Sequence, residues 1–206
     1  RFWQERASLL TPVAKSFATD VGVEVTSVGV QVHGGMGYIE ETGAARLFRD
    51  ARIAPIYEGT NGIQAIDLVT RKLPLSDGVP IRALISELAE VAAKVPADQR
   101  FGATAARLEA AIAELEAATT WLLDAQADGR TAEALAGATA YQRQLGLTLT
   151  GMYLAKAGLA ETADGGRAAL ARFFAENLLP ETAALGDSIV HGAGSLSAAR
   201  SLLAGD

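Results

Sequence analysis

The residue types that could do chemistry gather between Gln31 and Leu73, where the chain reads QVHGGMGYIEETGAARLFRDARIAPIYEGTNGIQAIDLVTRKL. Gly34, Gly35 and Gly37 would let backbone approach a bulky ligand where a Cβ would collide. Amides in such a turn can face phosphate oxygens, and Gln31 beside it can both donate and accept hydrogen bonds. Glycines that follow a helix also serve simply as its C-cap. Downstream, Glu58 is a lone carboxylate flanked by Tyr57 and Gly59, just ahead of a helical run beginning near Thr60. A carboxylate in that place can act as a general base, or it can serve only as the negative charge at a helix N-terminus. The N–H groups of Thr60, Asn61 and Gly62 fall in the first helical turn, which suits a phosphate. His33 has two readings: packing against a backbone carbonyl, or contact with a ligand.

The elements that must position these residues read as helices. Thr11 and Pro12 suit an N-cap and first helical position, which predicts a helix running to about Val32. Leu10, Val13, Phe17, Val21, Val25, Val28 and Val32 recur at three- and four-residue steps on one face of it. The glycines at 34, 35 and 37 stop it, a short helix is expected from about Glu41 to Asp50, and Pro55 suggests an extended link into Glu58. The next helix is expected over Asn61 to Lys72, ending in Arg71 and Lys72 beside the negative end of its dipole. Leu73 to Val79 reads as a linker. Beyond it, one stripe runs from Ile81 to Val95, a second from Leu108 to Leu122, and Leu135, Leu145, Met152 and Leu159 suggest one long third helix. A fourth spans about Gly166 to Leu179, and the last segments flank the HGAGS turn at 191 to 195. Abundant alanine favours helix over strand. Trp121, Tyr141, Phe173 and Phe174 are expected in the core, and His191 in a turn.

Composition narrows the function classes. With 50% hydrophobic and 20% charged residues over 206 positions, the chain is of folded, globular type. No apolar run approaches the roughly 20 residues that cross a bilayer, so no membrane span is expected. There are no cysteines and only two histidines, which argues against a thiolate nucleophile, a disulfide framework or metal catalysis, and no metal ligand is assigned. The net charge of −6 falls wholly on the part after residue 74, and an acidic helical surface argues against nucleic acid as a partner.

The segments QVHGGMGY, RDAR and IYEGTNGIQ resemble, in order and spacing, the C-terminal helical part of the acyl-CoA dehydrogenases. YLAKAG and ARFFAENLLPETAALGDSIVHGAGSL resemble more loosely the extra helical domain of a larger branch of that family. The resemblance implies an all-α fold: part of a four-helix bundle over residues 1–73, a linker over 74–80, and a second helical bundle over 81–206. It implies FAD as cofactor and an acyl-CoA thioester as substrate, dehydrogenated between Cα and Cβ with Glu58 as general base and Tyr57 and Gly59 beside the substrate. Gln31, Val32, His33, Gly34 and Gly35 match the segment that contacts the adenosine diphosphate of an FAD held mainly by a neighbouring subunit, and Thr60, Asn61 and Gly62 match a second flavin-contacting stretch. Electron-transfer flavoprotein or a similar acceptor, and a homo-oligomer, follow as partners. The expected location is the cytoplasm of a bacterium, or the mitochondrial matrix in a eukaryote. Arg49, Asp50 and Arg52 also resemble a family pattern, read either as loop-fixing salt bridges or, for Arg49, as a ligand contact. Because the chain opens at Arg1 within a helical pattern, it is expected to be a piece of a longer enzyme and inactive alone. An acyl-CoA oxidase and a catalytically silent oligomerisation module are the competing readings.

Overall fold

Apolar residues at helical spacing fold into helices along the whole chain, and the computed structural model describes residues 1–161 and 166–204. The first helix, α1, runs unbroken over Phe2–Val32, so the expected start at Thr11 is corrected: Pro12 lies inside the helix. Upstream packing overrides the cap signal. Leu9 is fully buried, Arg6 pairs with Glu87 at 2.8 Å, and Thr11 donates its hydroxyl to the Ala7 carbonyl within the helix instead of capping it. Along the apolar stripe Val13 is buried and Leu10 and Phe17 pack on the core, whereas Val25, Val28 and Val32 are exposed.

After α1 come two short helices, α2 (Gly35–Tyr38) and α3 (Ala44–Arg52). Gly43 separates α3 from a single 3-10 turn at Glu40–Thr42, so the helix expected from Glu41 is two pieces, divided where a left-handed glycine reverses the chain. The link after Pro55 is a compact turn and not extended: Ile56 and Tyr57 both donate their N–H to the Ile53 carbonyl. Next, α4 (Asn61–Asp67) opens with Thr60 as N-cap and passes into a π turn at Leu68–Lys72. A 3-10 turn at Leu75–Gly78 then leads into α5 (Val79–Ala92).

The remainder is α6 (Thr104–Ala127), α7 (Thr131–Ala136), α8 (Ala138–Leu159), α9 (Arg167–Asn177), α10 (Glu181–His191) and α11 (Ala193–Ala204). The stripes of α5 and α6 are buried as expected. The long third helix is two helices, α7 and α8, divided at Gly137, where an added Cβ would stand 3.1 Å from the Ile189 backbone. Tyr141 and Phe174 are buried and Trp121 packs on the core, but Phe173 points outward, 59% exposed. Helix α8 is the centre of the assembly, packing on α1, α4, α5, α6, α9 and α10. A single hydrophobic core joins Leu9, Leu68 and Leu73 to Ile81, Leu115 and Leu145, so the described residues fold around one continuous interior. No helix among them is long and apolar enough to cross a membrane.

Candidate functional site

The loop carrying Glu58 is built from two successive left-handed residues, Glu58 at φ 55° and Gly59 at φ 82°. Glycine adopts that conformation freely, whereas a glutamate does so at a cost of about 1–2 kcal/mol, so the surroundings must hold it. They do so from both sides. Gln64 donates from Nε2 to the Glu58 carbonyl at 3.3 Å, and Lys15 donates from Nζ to the Gly59 carbonyl at 2.8 Å. Thr60 then caps α4 by accepting the Ile63 N–H at 3.2 Å. Glu58 is exposed, as are its neighbours Ile56 and Tyr57, so the carboxylate and an apolar flank stand together on an open face.

Asn61 fastens this loop to α1. Its Nδ2 donates to Asp20 Oδ1 at 2.7 Å, to Thr19 Oγ1 at 2.9 Å and to the Ser16 carbonyl at 3.1 Å, while its Oδ1 accepts from Lys15 Nζ at 2.8 Å. The Asn61 N–H is committed to the Pro55 carbonyl. Of the three residues expected to offer amides to a phosphate, Asn61 therefore acts within the chain, and Thr60 and Gly62 are the ones left to offer theirs. All three line an open cleft of about 510 Å³ together with Asp20, Glu24, Arg52 and Arg143; Glu58 and Tyr57 do not line it.

The glycine turn lies elsewhere. Asp20 and Gln31 are eleven residues apart on α1, which at 1.5 Å per residue is roughly 16 Å. Gln31, Val32 and His33 are exposed at the end of the helix, and His33 Nδ1 lies 2.8 Å from the Gly29 carbonyl, the packing role weighed for it. Each glycine has its own reason. Gly34 holds φ 59°, and Gly37 is buried where a Cβ would come within 2.2 Å of the Val30 carbonyl oxygen. At Gly35 φ is ordinary and a Cβ would meet nothing within 4 Å, so internal packing does not require glycine there. Arg49 forms a two-pronged bridge to Glu40 at 2.8 Å, and its hydrogen bonds with Glu40 push its guanidinium above its ordinary value.

Sequence reasoning missed the anchors. Lys15, Ser16, Thr19 and Asp20 interrupt the apolar pattern of α1 on the side that faces the loop, and their polar spacing at 15, 16, 19 and 20 is the signal that could have revealed a contact surface, where Ser16 is fully buried. Also missed was the grip of α8 on the same helix. Gln142 donates from Nε2 to the Pro12 carbonyl at 3.1 Å, and Arg143 bridges Glu24 at 2.6 Å and Glu181 at 2.5 Å. Hydrogen bonding to Glu181, opposed by partial burial and aided by Glu24, pushes the Arg143 guanidinium above its ordinary value.

Comparison with known proteins assigns both parts of the chain. Residues 4–73 match the model described as acyl-CoA dehydrogenase, C-terminal domain, and residues 83–200 match that described as acetyl-CoA dehydrogenase C-terminal like. The 3-methylmercaptopropionyl-CoA dehydrogenase of Ruegeria pomeroyi is 42% identical over 194 residues, which is 88% of this chain and 32% of that protein. A butyryl-CoA dehydrogenase of Syntrophomonas wolfei is 34% identical over 102 residues, covering 50% of this chain and 17% of that protein. The short-chain specific acyl-CoA dehydrogenase of Megasphaera elsdenii is 54% identical over 52 residues, or 25% of this chain and 14% of that protein. The chain thus spans about a third or less of the length of these relatives. It belongs to the acyl-CoA dehydrogenase family.

Proposed function

We propose that the chain supplies the general base and one rim of the FAD site of an enzyme that dehydrogenates an acyl-CoA thioester between Cα and Cβ. The observation that carries this reading is the Glu58 loop: an exposed carboxylate in a left-handed turn, held by Lys15 and Gln64 and placed just ahead of α4. Such strain, fixed from both sides, is the mark of a side chain held for a purpose. Glu58 takes the α-proton on a carboxylate oxygen, and Tyr57 and Gly59 border the thioester beside it.

The residues present fit a flavin nucleotide. Gly35 leaves open space that no internal contact requires, Gln31 beside it is exposed, and Val32, His33 and Gly34 complete that edge. Thr60 and Gly62 offer amides at the second edge, with Asn61 fixing the loop that carries them. When bound, FAD supplies the two-electron acceptor for the hydrogen leaving Cβ. The separation of roughly 16 Å between the two edges along α1 supports their serving two cofactors in a homo-oligomer, each shared with a neighbouring subunit. Residues 1–73 and 81–206, joined at 74–80, are read as the end of the catalytic bundle and an appended helical unit. Electron-transfer flavoprotein or a similar carrier would reoxidise the enzyme, and the bacterial relatives support a cytoplasmic site of action.

The test is Glu58→Gln in the full-length protein, followed by stopped-flow bleaching of the flavin with 3-methylmercaptopropionyl-CoA and butyryl-CoA. The amide keeps the shape and loses the proton acceptor, so bleaching should slow by about 10²–10⁴-fold with flavin retained. A rate within tenfold of the unsubstituted protein would place the base elsewhere.

A further inference from the structure

We propose that Lys15 is a positioning residue for Glu58, its ammonium locking the left-handed Glu58–Gly59 turn onto α1. The inference rests on Glu58 being the base and adds the device that holds it in place. Lys15 Nζ donates to the Gly59 carbonyl and to Asn61 Oδ1, both at 2.8 Å, and so bridges the two residues on either side of Thr60. These contacts cross 44 and 46 positions of sequence, which makes them tertiary anchors and not local turn chemistry.

Two features show that the ammonium is given to this task. The carboxylate of the cluster, Asp20, accepts from Asn61 Nδ2 at 2.7 Å, and Lys15 takes part in no ion pair among the described residues. A half-buried lysine held in one geometry loses the freedom of a long side chain, and charge-assisted bonds to two neutral oxygens are what offset that loss here. The second feature is the turn itself. Glu58 and Gly59 are both left-handed, and the pair is gripped at each carbonyl, by Gln64 on the first and Lys15 on the second. Gln64 sits on α4, immediately after the loop, and moves with it, whereas Lys15 is on α1 and ties the turn to the body of the protein. Without Lys15 the turn keeps its local bond and loses its tie to α1 through Gly59.

Misplacing a reacting group by about 1 Å can cost 10²-fold in rate. In the full-length enzyme, Lys15→Met should therefore slow flavin reduction by about 10–100-fold, leave KM within about threefold, and retain bound flavin. With α-deuterated acyl-CoA the primary isotope effect should rise, because proton abstraction becomes the slower step. Lys15→Arg, which keeps a charged donor, should recover at least a tenth of the lost rate. Should Lys15→Met fail to accumulate, Lys15→Gln carries the same test, since its neutral amide on a shorter side chain cannot make the two charge-assisted bonds. Glu58→Gln runs alongside. If Glu58→Gln is dead while Lys15→Met reduces flavin at the unsubstituted rate with an unchanged isotope effect, the positioning role is overturned and the base assignment stands. If Glu58→Gln stays active, both fall. Loss of flavin and of melting temperature in Lys15→Met, with Lys15→Arg equally damaged, would show a purely structural lysine and overturn the proposal.

Discussion

Replacing Gly146 by alanine sets two effects of opposite sign against each other. Gly146 lies in the interior of α8, where alanine ordinarily stabilises a helix by about 0.5–1 kcal/mol over glycine. The tertiary contact opposes this. A Cβ there would stand 2.4 Å from Phe17 Cγ and Cδ2 and 3.0 Å from Phe17 Cβ, whereas carbon atoms rest at about 3.5–4.0 Å. Swinging the Phe17 side chain about its Cα–Cβ bond relieves the first two contacts but not the third, so α1 and α8 must part by an appreciable fraction of an ångström. Overpacking of this kind costs about 1–3 kcal/mol, and it would also stretch the neighbouring Gln142–Pro12 and Arg143–Glu24 bonds. The packing term is the larger, and a net loss of about 1–2 kcal/mol corresponds to a fall of roughly 2–8 °C in melting temperature for a chain this size. Circular-dichroism melting of the isolated chain measures it. In the Phe17→Ala background the same Gly146→Ala change should cost less, because the two 2.4 Å ring contacts are gone and only the 3.0 Å contact with the Cβ of residue 17 remains. A Gly146→Ala protein that melts at or above the unsubstituted temperature would show that helix propensity wins and that α1 and α8 are not in close contact.

Gly37→Ala should lower the melting temperature of the isolated chain, since its Cβ would come within 2.2 Å of the Val30 carbonyl oxygen; Gly35→Ala, with nothing within 4 Å, should leave it unchanged and instead reduce flavin retention in the full-length protein, read as the absorbance ratio. Glu176 accepts the Ala103 N–H and pairs with Arg172, which holds its carboxyl below the ordinary 4.5. Its contribution is therefore present above that value and lost as pH falls below it. Glu176→Gln should lower the melting temperature at neutral pH, and the difference should close in acid; a gap that persists in acid would show that charge is not the cause. The exposed Val25, Val28 and Val32 on α1 should drive the isolated chain to self-associate, with Val25→Ser/Val28→Ser shifting it toward monomer in sedimentation. A strict monomer before substitution would refute that expectation.

The helices after residue 80 were legible because each buries one face, and the three- and four-residue spacing of Ile81 to Val95 or Leu108 to Leu122 records that burial directly. The errors lie where a tertiary contact overrules a local signal. Thr11 and Pro12 have the chemistry of a helix start, but Leu9 and Arg6 are held by the core and by Glu87, so the helix continues upstream through the proline. Gly137, between α7 and α8, lies where a Cβ would press on Ile189, whose place beside it no local pattern records. In the site, Glu58 and its neighbours stood out through family resemblance and an unusual run of glycine and carboxylate. Their anchors did not. Lys15 and Asn61 look unrelated in sequence, and their partnership exists only once α1 lies alongside α4.

That arrangement also bears on why a helical unit packed far along the chain matters to the loop. The stretch of α1 from Pro12 to Glu24 is gripped from two directions. From one, Lys15, Thr19 and Asp20 hold the Glu58 loop through Gly59 and Asn61. From the other, α8 holds the same stretch through Gln142 on the Pro12 carbonyl, Phe17 laid on Gly146, and Arg143 on Glu24. A helix clamped on one side only could slide or rotate with little loss, and a rotation of α1 would carry the Lys15 ammonium away from the Gly59 carbonyl. With the second clamp in place, the cost of that rotation includes the buried Gln142 amide losing its acceptor and Phe17 leaving its glycine-lined seat. The core supports the same division of labour, since Leu9 and Val13 on α1 and Leu68 and Leu73 after α4 are buried in one cluster with residues of α5, α6 and α8. Beyond Glu24, α2 packs on α1 with Gly37 against Val30, while Val25, Val28, Val32 and Gln31 face outward. The helix is thus held from two directions where it carries the Glu58 loop, and leaves Val25, Val28 and Val32 outward where the proposed homo-oligomer would cover them.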